Sequence, residues 1–127
     1  APRRGSAWPR NREARGATPL ATLRVLKQAR MMAQAFRPVE ITDLDSDYHA
    51  FIVRYSGDYI TQTHAADEFI YILEGAIEME LGKERHEVRQ GEAIRVPAGT
   101  PHRARCRNMA LALVVEKKGL QTEGRED

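Results

Sequence analysis

The sequence predicts an all-β fold, an antiparallel sandwich or small barrel, and three observations carry the prediction. Apolar and polar residues alternate with period two over much of the stretch from Val39 to Lys118. Glycine and proline punctuate that stretch at close intervals, as short strands joined by turns require. No part of it has a helical period.

The elements follow in order. Phe51 to Tyr55 is β-branched and aromatic, and Ser56-Gly57-Asp58 stops it. Glu68 to Leu73 is a second strand, ended by Glu74-Gly75. Ile77 to Leu81 alternates cleanly, with Ile77, Met79 and Leu81 on one face and Glu78 and Glu80 on the other. Gly82-Lys83 is a tight turn, Arg85 to Val88 returns, and Gln90-Gly91 turns again. Ala93 to Val96 is a short strand stopped by Pro97-Ala98-Gly99-Thr100-Pro101. His102 to Arg107 is the next strand, Asn108 is expected to turn, and Met109 to Glu116 is the last.

The chain has 127 residues, room for one domain with a modest core. No apolar run approaches the roughly 20 residues of a membrane-spanning helix. A single cysteine, Cys106, excludes an internal disulfide framework and an all-cysteine zinc site. Without a secretory signal or paired cysteines, the expected compartment is the cytoplasm.

The charge is unevenly spread. Residues 1–30 carry eight Lys/Arg and one acid, a balance of +7, whereas residues 31–127 balance at −5. The body is therefore acidic, a poor start for a phosphate-backbone binder, and nucleic acid is not an expected partner. Residues 1–36 read as a basic extension, residues 37–118 as the barrel and residues 119–127 as a tail. Residues 1–19 hold three prolines, two glycines and five arginines, too little apolar surface to offset their ordering entropy. Ala21 to Arg30 has the pattern of a short helix. Three readings stand for the extension: a flexible leader, an arm docked on the body or a neighbouring subunit, and a targeting or nucleic-acid-binding segment. Removal of residues 1–30 is expected to leave the body folded.

Alternation also sorts the polar residues by face. Gln62 and His64 are two apart and point the same way, with Ala65-Ala66-Asp67 a turn or bulge. Glu68, Ile70 and Ile72 share one face, and Phe69, Tyr71 and Leu73 the other, which packs between sheets or across a dimer interface. His102, Ala104 and Cys106 share a face opposite Arg103, Arg105 and Arg107. Three arginines belong toward water or a partner, so His102 and Cys106 belong inside. Buried polar groups need partners, and one divalent cation satisfies two imidazoles, a carboxylate and an amide oxygen together. The alternative reading keeps His64 and His102 as hydrogen-bonded core histidines, Glu68 as a turn carboxylate, and Gln62 as a hydrogen-bond support for His64. Cys106 reads as a packing residue, and His49 and His86 as surface residues. Tyr55, Met79, Ile70 and Ile72 are expected to line an apolar interior.

The stretch from Gly57 to Glu68 followed by Gly75 resembles the first cupin motif, G-x5-H-x-H-x3,4-E-x6-G. Gly91 to Cys106, with Pro97, Gly99 and His102, resembles the second, G-x5-P-x-G-x2-H-x3-N. The resemblance implies a conical antiparallel jelly-roll barrel, a double-stranded β-helix, often dimeric. Carried over by position, it implies one divalent transition metal, Fe, Mn, Ni or Zn, on Gln62, His64, Glu68 and His102. Two departures stand out: Gln62 occupies the place of the first motif's leading His, with Gly57 one residue closer to it than the pattern states, and Cys106 occupies that of the second motif's final Asn. With a single carboxylate the centre keeps net positive charge, which suits a carbonyl- or carboxylate-bearing small molecule. The implied activity is dioxygenase or isomerase/lyase chemistry with the metal as Lewis acid, and Glu68 and Tyr55 are the candidate catalytic side chains. Fold alone leaves two other roles open: a non-catalytic barrel that binds or senses a sugar-like molecule, and a structural dimer.

Overall fold

The computed structural model describes residues 22–119 and the backbone of residues 122–125. Expectations for residues 1–21 lie outside the described residues. Among the described residues, helix α1 (Val25–Arg30) is followed by nine strands: β1 (Val39–Leu44), β2 (Tyr48–Asp58), β3 (Thr61–His64), β4 (Glu68–Glu74), β5 (Ala76–Leu81), β6 (Glu84–Arg89), β7 (Ala93–Val96), β8 (His102–Lys117) and β9 (Thr122–Arg125). All pairings are antiparallel, so the expected all-β architecture is the one observed. β9 lies in what the sequence reads as the tail.

β8 organises the whole. Its first half pairs with β5 and meets β3 at Gln62, its second half pairs with β4, and β2 runs along both. The other strands extend from these: β1 on β2, β6 on β5, β7 on β4 and β9 on β3. One strand thus serves both faces of a rolled sheet, and the inner faces meet over a common core.

β8 corrects the expectation at Asn108. The chain does not turn there. The register against β2 slips between Tyr55↔Ala110 and Gly57↔Cys106, leaving Arg107, Asn108 and Met109 exposed in a bulge. A bulge bends a strand without reversing it. The slip preserves parity, so Ala104, Cys106, Ala110, Ala112 and Val114 all face inward. They pack with Phe51, Val53, Tyr55, Ile70, Ile72, Ile77, Met79, Val88 and Val96. Small residues sit where bulky ones converge: Ala112 is flanked in register by Val53 and Ile72.

Gly75 joins β4 to β5 at a φ of +80°, a conformation that favours glycine. A Cβ there would lie 2.3 Å from the Met109 carbonyl oxygen. The turn therefore packs directly on the β8 bulge.

The segment before β1 covers part of the outer face. Ala29 and Met32 are buried against Ile52 and Leu111, with Val25, Leu26, Ile41, Leu73 and Leu113 around them. Arg30 pairs with Glu74, and Arg54 Nη1 donates to the Met32 carbonyl at 3.1 Å. Phe36 then turns inward, stacking on Tyr59 at 4.2 Å and meeting Tyr55 edge-on at 5.8 Å. No helix among the described residues is long and apolar enough to cross a membrane.

Candidate metal centre

Three strands bring three side chains together. His64 ends β3, Glu68 begins β4 and His102 begins β8, and one ligand atom from each lies within 4.8 Å of the others. All three are buried. Glu68 Oε1 faces both rings, 3.5 Å from His64 Nε2 and 3.6 Å from His102 Nε2. The two rings lie 4.8 Å apart, tilted by 49°.

Local sequence explains the placement. The Pro97–Pro101 loop delivers His102 into β8 with its Nδ1 3.0 Å from the Thr100 carbonyl. A carbonyl only accepts, so Nδ1 carries a proton, and the neutral ring presents its lone pair at Nε2. That Nε2 is buried and makes no hydrogen bond. The loop also holds β3, through a 2.9 Å hydrogen bond from the Gly99 amide to the His64 carbonyl. Gln62 is the register partner of His102, and such partners project from the same face.

In a dry interior the facing lone pairs of Glu68 and His102 conflict unless a proton or a cation lies between them. A divalent cation removes the conflict, since both groups are donors to it. The donor set therefore fits a metal with mixed nitrogen and oxygen ligands.

Two further polar residues approach the centre that the sequence reading left out of it. Glu116 is the register partner of Glu68 on one side and of His49 on the other, and all three face inward. His49 is therefore not the surface residue expected: its side chain is 17% exposed. Its Nδ1 lies 2.8 Å from Glu40 Oε1 and its Nε2 3.7 Å from Glu116 Oε2. The signal was present in the alternation. His49 continues the inward series of Phe51, Val53 and Tyr55, and Glu116 that of Ala110, Ala112 and Val114.

The protonation preferences differ by residue. Burial alone would raise the Glu68 carboxyl, but the facing His102 and His64 rings and Glu116 outweigh it and hold it well below the usual range. Glu116 goes the other way: burial and the Glu68 charge push it up to about 8. Burial, with Glu68 adding to it, holds the Tyr55 phenol far above its ordinary value, so it stays protonated. The Cys106 thiol is raised by burial and donates to the Ala76 carbonyl at 3.4 Å, a packing residue as expected. On the outer face, Arg105 bridges Glu80 and Asp58 while Arg103 reaches Asp58 and the Tyr59 carbonyl. Acidic neighbours thus offset much of that basic strip.

A rolled antiparallel sheet with buried histidines and a carboxylate converging inside is the class that fold and site define. The Cupin_2 family, described as the cupin domain, matches residues 52–116, and the chain belongs to that family. Among solved structures it is similar to a cupin-2 domain protein of Shewanella frigidimarina, with TM-score 0.70 and 20% identity over 73% of this chain and 91% of that one. It is similar to the DMSP lyase DddQ of Ruegeria pomeroyi, with TM-score 0.56 and 26% identity over 65% of this chain and 44% of that one. It also resembles salicylate 1,2-dioxygenase of Pseudoaminobacter salicylatoxidans, with TM-score 0.63 and 11% identity over 71% and 29% of the two chains. No curated protein matches the sequence.

Proposed function

We propose that this cupin is a metal-dependent enzyme acting on a small carbonyl- or carboxylate-bearing molecule, by isomerase/lyase or dioxygenase chemistry. The observation that carries the reading is the bare His102 Nε2 and the His64 ring turned onto one buried oxygen of Glu68. The lyase likeness at 26% identity supports the reaction class.

His64, Glu68 and His102 would hold the ion, with Gln62 as a neutral oxygen donor beside them. A divalent Fe, Mn, Ni or Zn there would supply Lewis-acid polarisation of a substrate oxygen. The chain's own residues do the rest. Ile70, Ile72 and Met79 exclude water, which strengthens every charge interaction inside. Tyr55 Oη keeps its proton and offers a hydrogen bond. Glu116, opposite Glu68 in register, is the carboxyl placed to take or give a proton beside it. One carboxylate against a doubly charged ion leaves net positive charge, so an anionic substrate is favoured.

The partner proposed is a second copy of the chain. Phe69 (45% exposed), Tyr48 and Leu44 lie on the outer face not covered by α1. Phe69→Glu would then shift a dimer toward monomer in sedimentation.

The test is elemental analysis of protein purified without an affinity metal column, beside His64→Ala and His102→Ala. A near-stoichiometric metal lost in both variants supports the reading, and the metal then selects the assay: oxygen consumption for iron, isomerase and lyase panels for the others. Unchanged metal in His102→Ala overturns the site. No metal even after reconstitution turns the reading toward a barrel that only binds its ligand.

A further inference from the structure

β3 is four residues long and carries both Gln62 and His64. Its two edges are held very differently. Along one edge β8 meets it in register only at Gln62↔His102, and the Gly99 amide bonds the His64 carbonyl beside that point. Along the other edge β9 runs its full length, with Thr122↔His64, Glu123↔Thr63, Gly124↔Gln62 and Arg125↔Thr61. The other two donors have no such dependence. Glu68 sits in β4, laddered to β7 and β8, and His102 sits in β8 itself.

We infer that β9 is the positioning element of the candidate metal centre, a backbone strap that keeps His64 facing Glu68 and His102. A four-residue strand has little stability of its own, and loss of one ladder leaves its amides and carbonyls to water. β3 then frays and takes His64 out of the cluster, while the rest of the barrel keeps its pairings. The inference rests on the metal reading proposed above. It adds a reciprocal consequence: if strap docking strengthens metal binding by some factor, metal binding strengthens strap docking by the same factor.

The experiment compares the full chain with a chain ending at Gly119, each titrated with Co2+ alone and followed by its visible d–d absorption. Thermal melting of both is recorded without metal. The truncated chain is expected to melt cooperatively yet bind Co2+ at least tenfold more weakly, with altered band intensities. Amide exchange of the full chain supplies the reciprocal reading: Zn2+ should slow exchange across residues 122–125 as well as 61–64.

Thr122→Pro and Glu123→Pro, made separately, keep the test open should truncation unfold the barrel. Adjacent amides in an antiparallel edge strand point alternately into and out of the ladder. Only one of the two variants should therefore lower Co2+ affinity. Full affinity in the truncated chain, or in both proline variants, overturns the strap while the metal site stands. A full chain that takes up no Co2+ overturns the metal reading itself, and the strap with it.

Discussion

Glu116 in β8 stands directly opposite Glu68 in β4 in the antiparallel register, two carboxyl groups paired on the inner face of the sheet. Neighbouring rows of the same sheet pair Ile70 with Val114 and Ile72 with Ala112. An apolar interior thus ends in an acidic row beneath His64 and His102. Two adjacent carboxylates cannot both be charged cheaply, so the pair divides: Glu68 ionises against the imidazoles and Glu116 keeps its proton.

That division sets a pH dependence for the metal-free protein. Between the ordinary carboxyl value of 4.5 and about 8, folded Glu116 holds a proton that the unfolded chain has released. Stability therefore falls as pH rises through that window. Glu68 acts oppositely at the acid end, where protonating it removes stability as pH falls. The melting temperature should drop by several degrees from pH 5.5 to 8, and Glu116→Gln should flatten the decline. An unchanged slope in that variant would remove Glu116 as its source.

On the proposed reading Gln62 tunes how tightly the ion is held. An amide oxygen is a weaker donor than an imidazole for late first-row metals. Gln62→His should tighten Co2+ binding about tenfold and Gln62→Ala should weaken it, each measured by competition with a chelator. Equal affinity in all three proteins would place Gln62 outside the coordination shell.

Gly75 is a steric requirement. A Cβ at its φ of +80° would overlap the Met109 carbonyl, a backbone atom of the β8 bulge. Gly75→Ala should cost roughly 3 kcal/mol in urea unfolding. A cost within about 0.5 kcal/mol, the range of ordinary surface changes, would show that the bulge yields.

The α1 seam is a fourth place to look. Ala29 is fully buried against Ile52 and Leu111, so Ala29→Asp places an unpaired charge in an apolar contact. A loss of about 3 kcal/mol is expected, again from urea unfolding. Removing residues 1–30 should leave the body folded but lower its stability, because the seam is part of its packing, as an arm docked on the body requires. Full stability after that deletion would mean the helix adds nothing to the sheet.

Much of this architecture is legible from local pattern. Period-two alternation marks Phe51–Tyr55, Glu68–Leu73 and Ile77–Leu81, because a pleated strand sends successive side chains to opposite faces. The two spaced motifs around His64 and His102 point to the family before any coordinates. Asn108 was misread because a bulge and a turn share residue preferences and differ in whether the partner strand continues alongside, which local sequence does not record. Glu116 and His49 were missed for a related reason. Each is a single polar residue at the end of an apolar series, and only its cross-strand neighbour shows what it meets.

The sequence by itself determined most of the strands and their inward faces, and with them His64, Glu68 and His102 as candidate donors, because alternation and motif spacing lie along one chain. The tertiary structure decided what required strands far apart in sequence to meet: the Glu68–Glu116 pair, the α1 seam on Ile52 and Leu111, and the β9 ladder along β3. Register sets those encounters. It is fixed by the packing of the whole barrel, because a one-residue slip would turn every inward side chain to water.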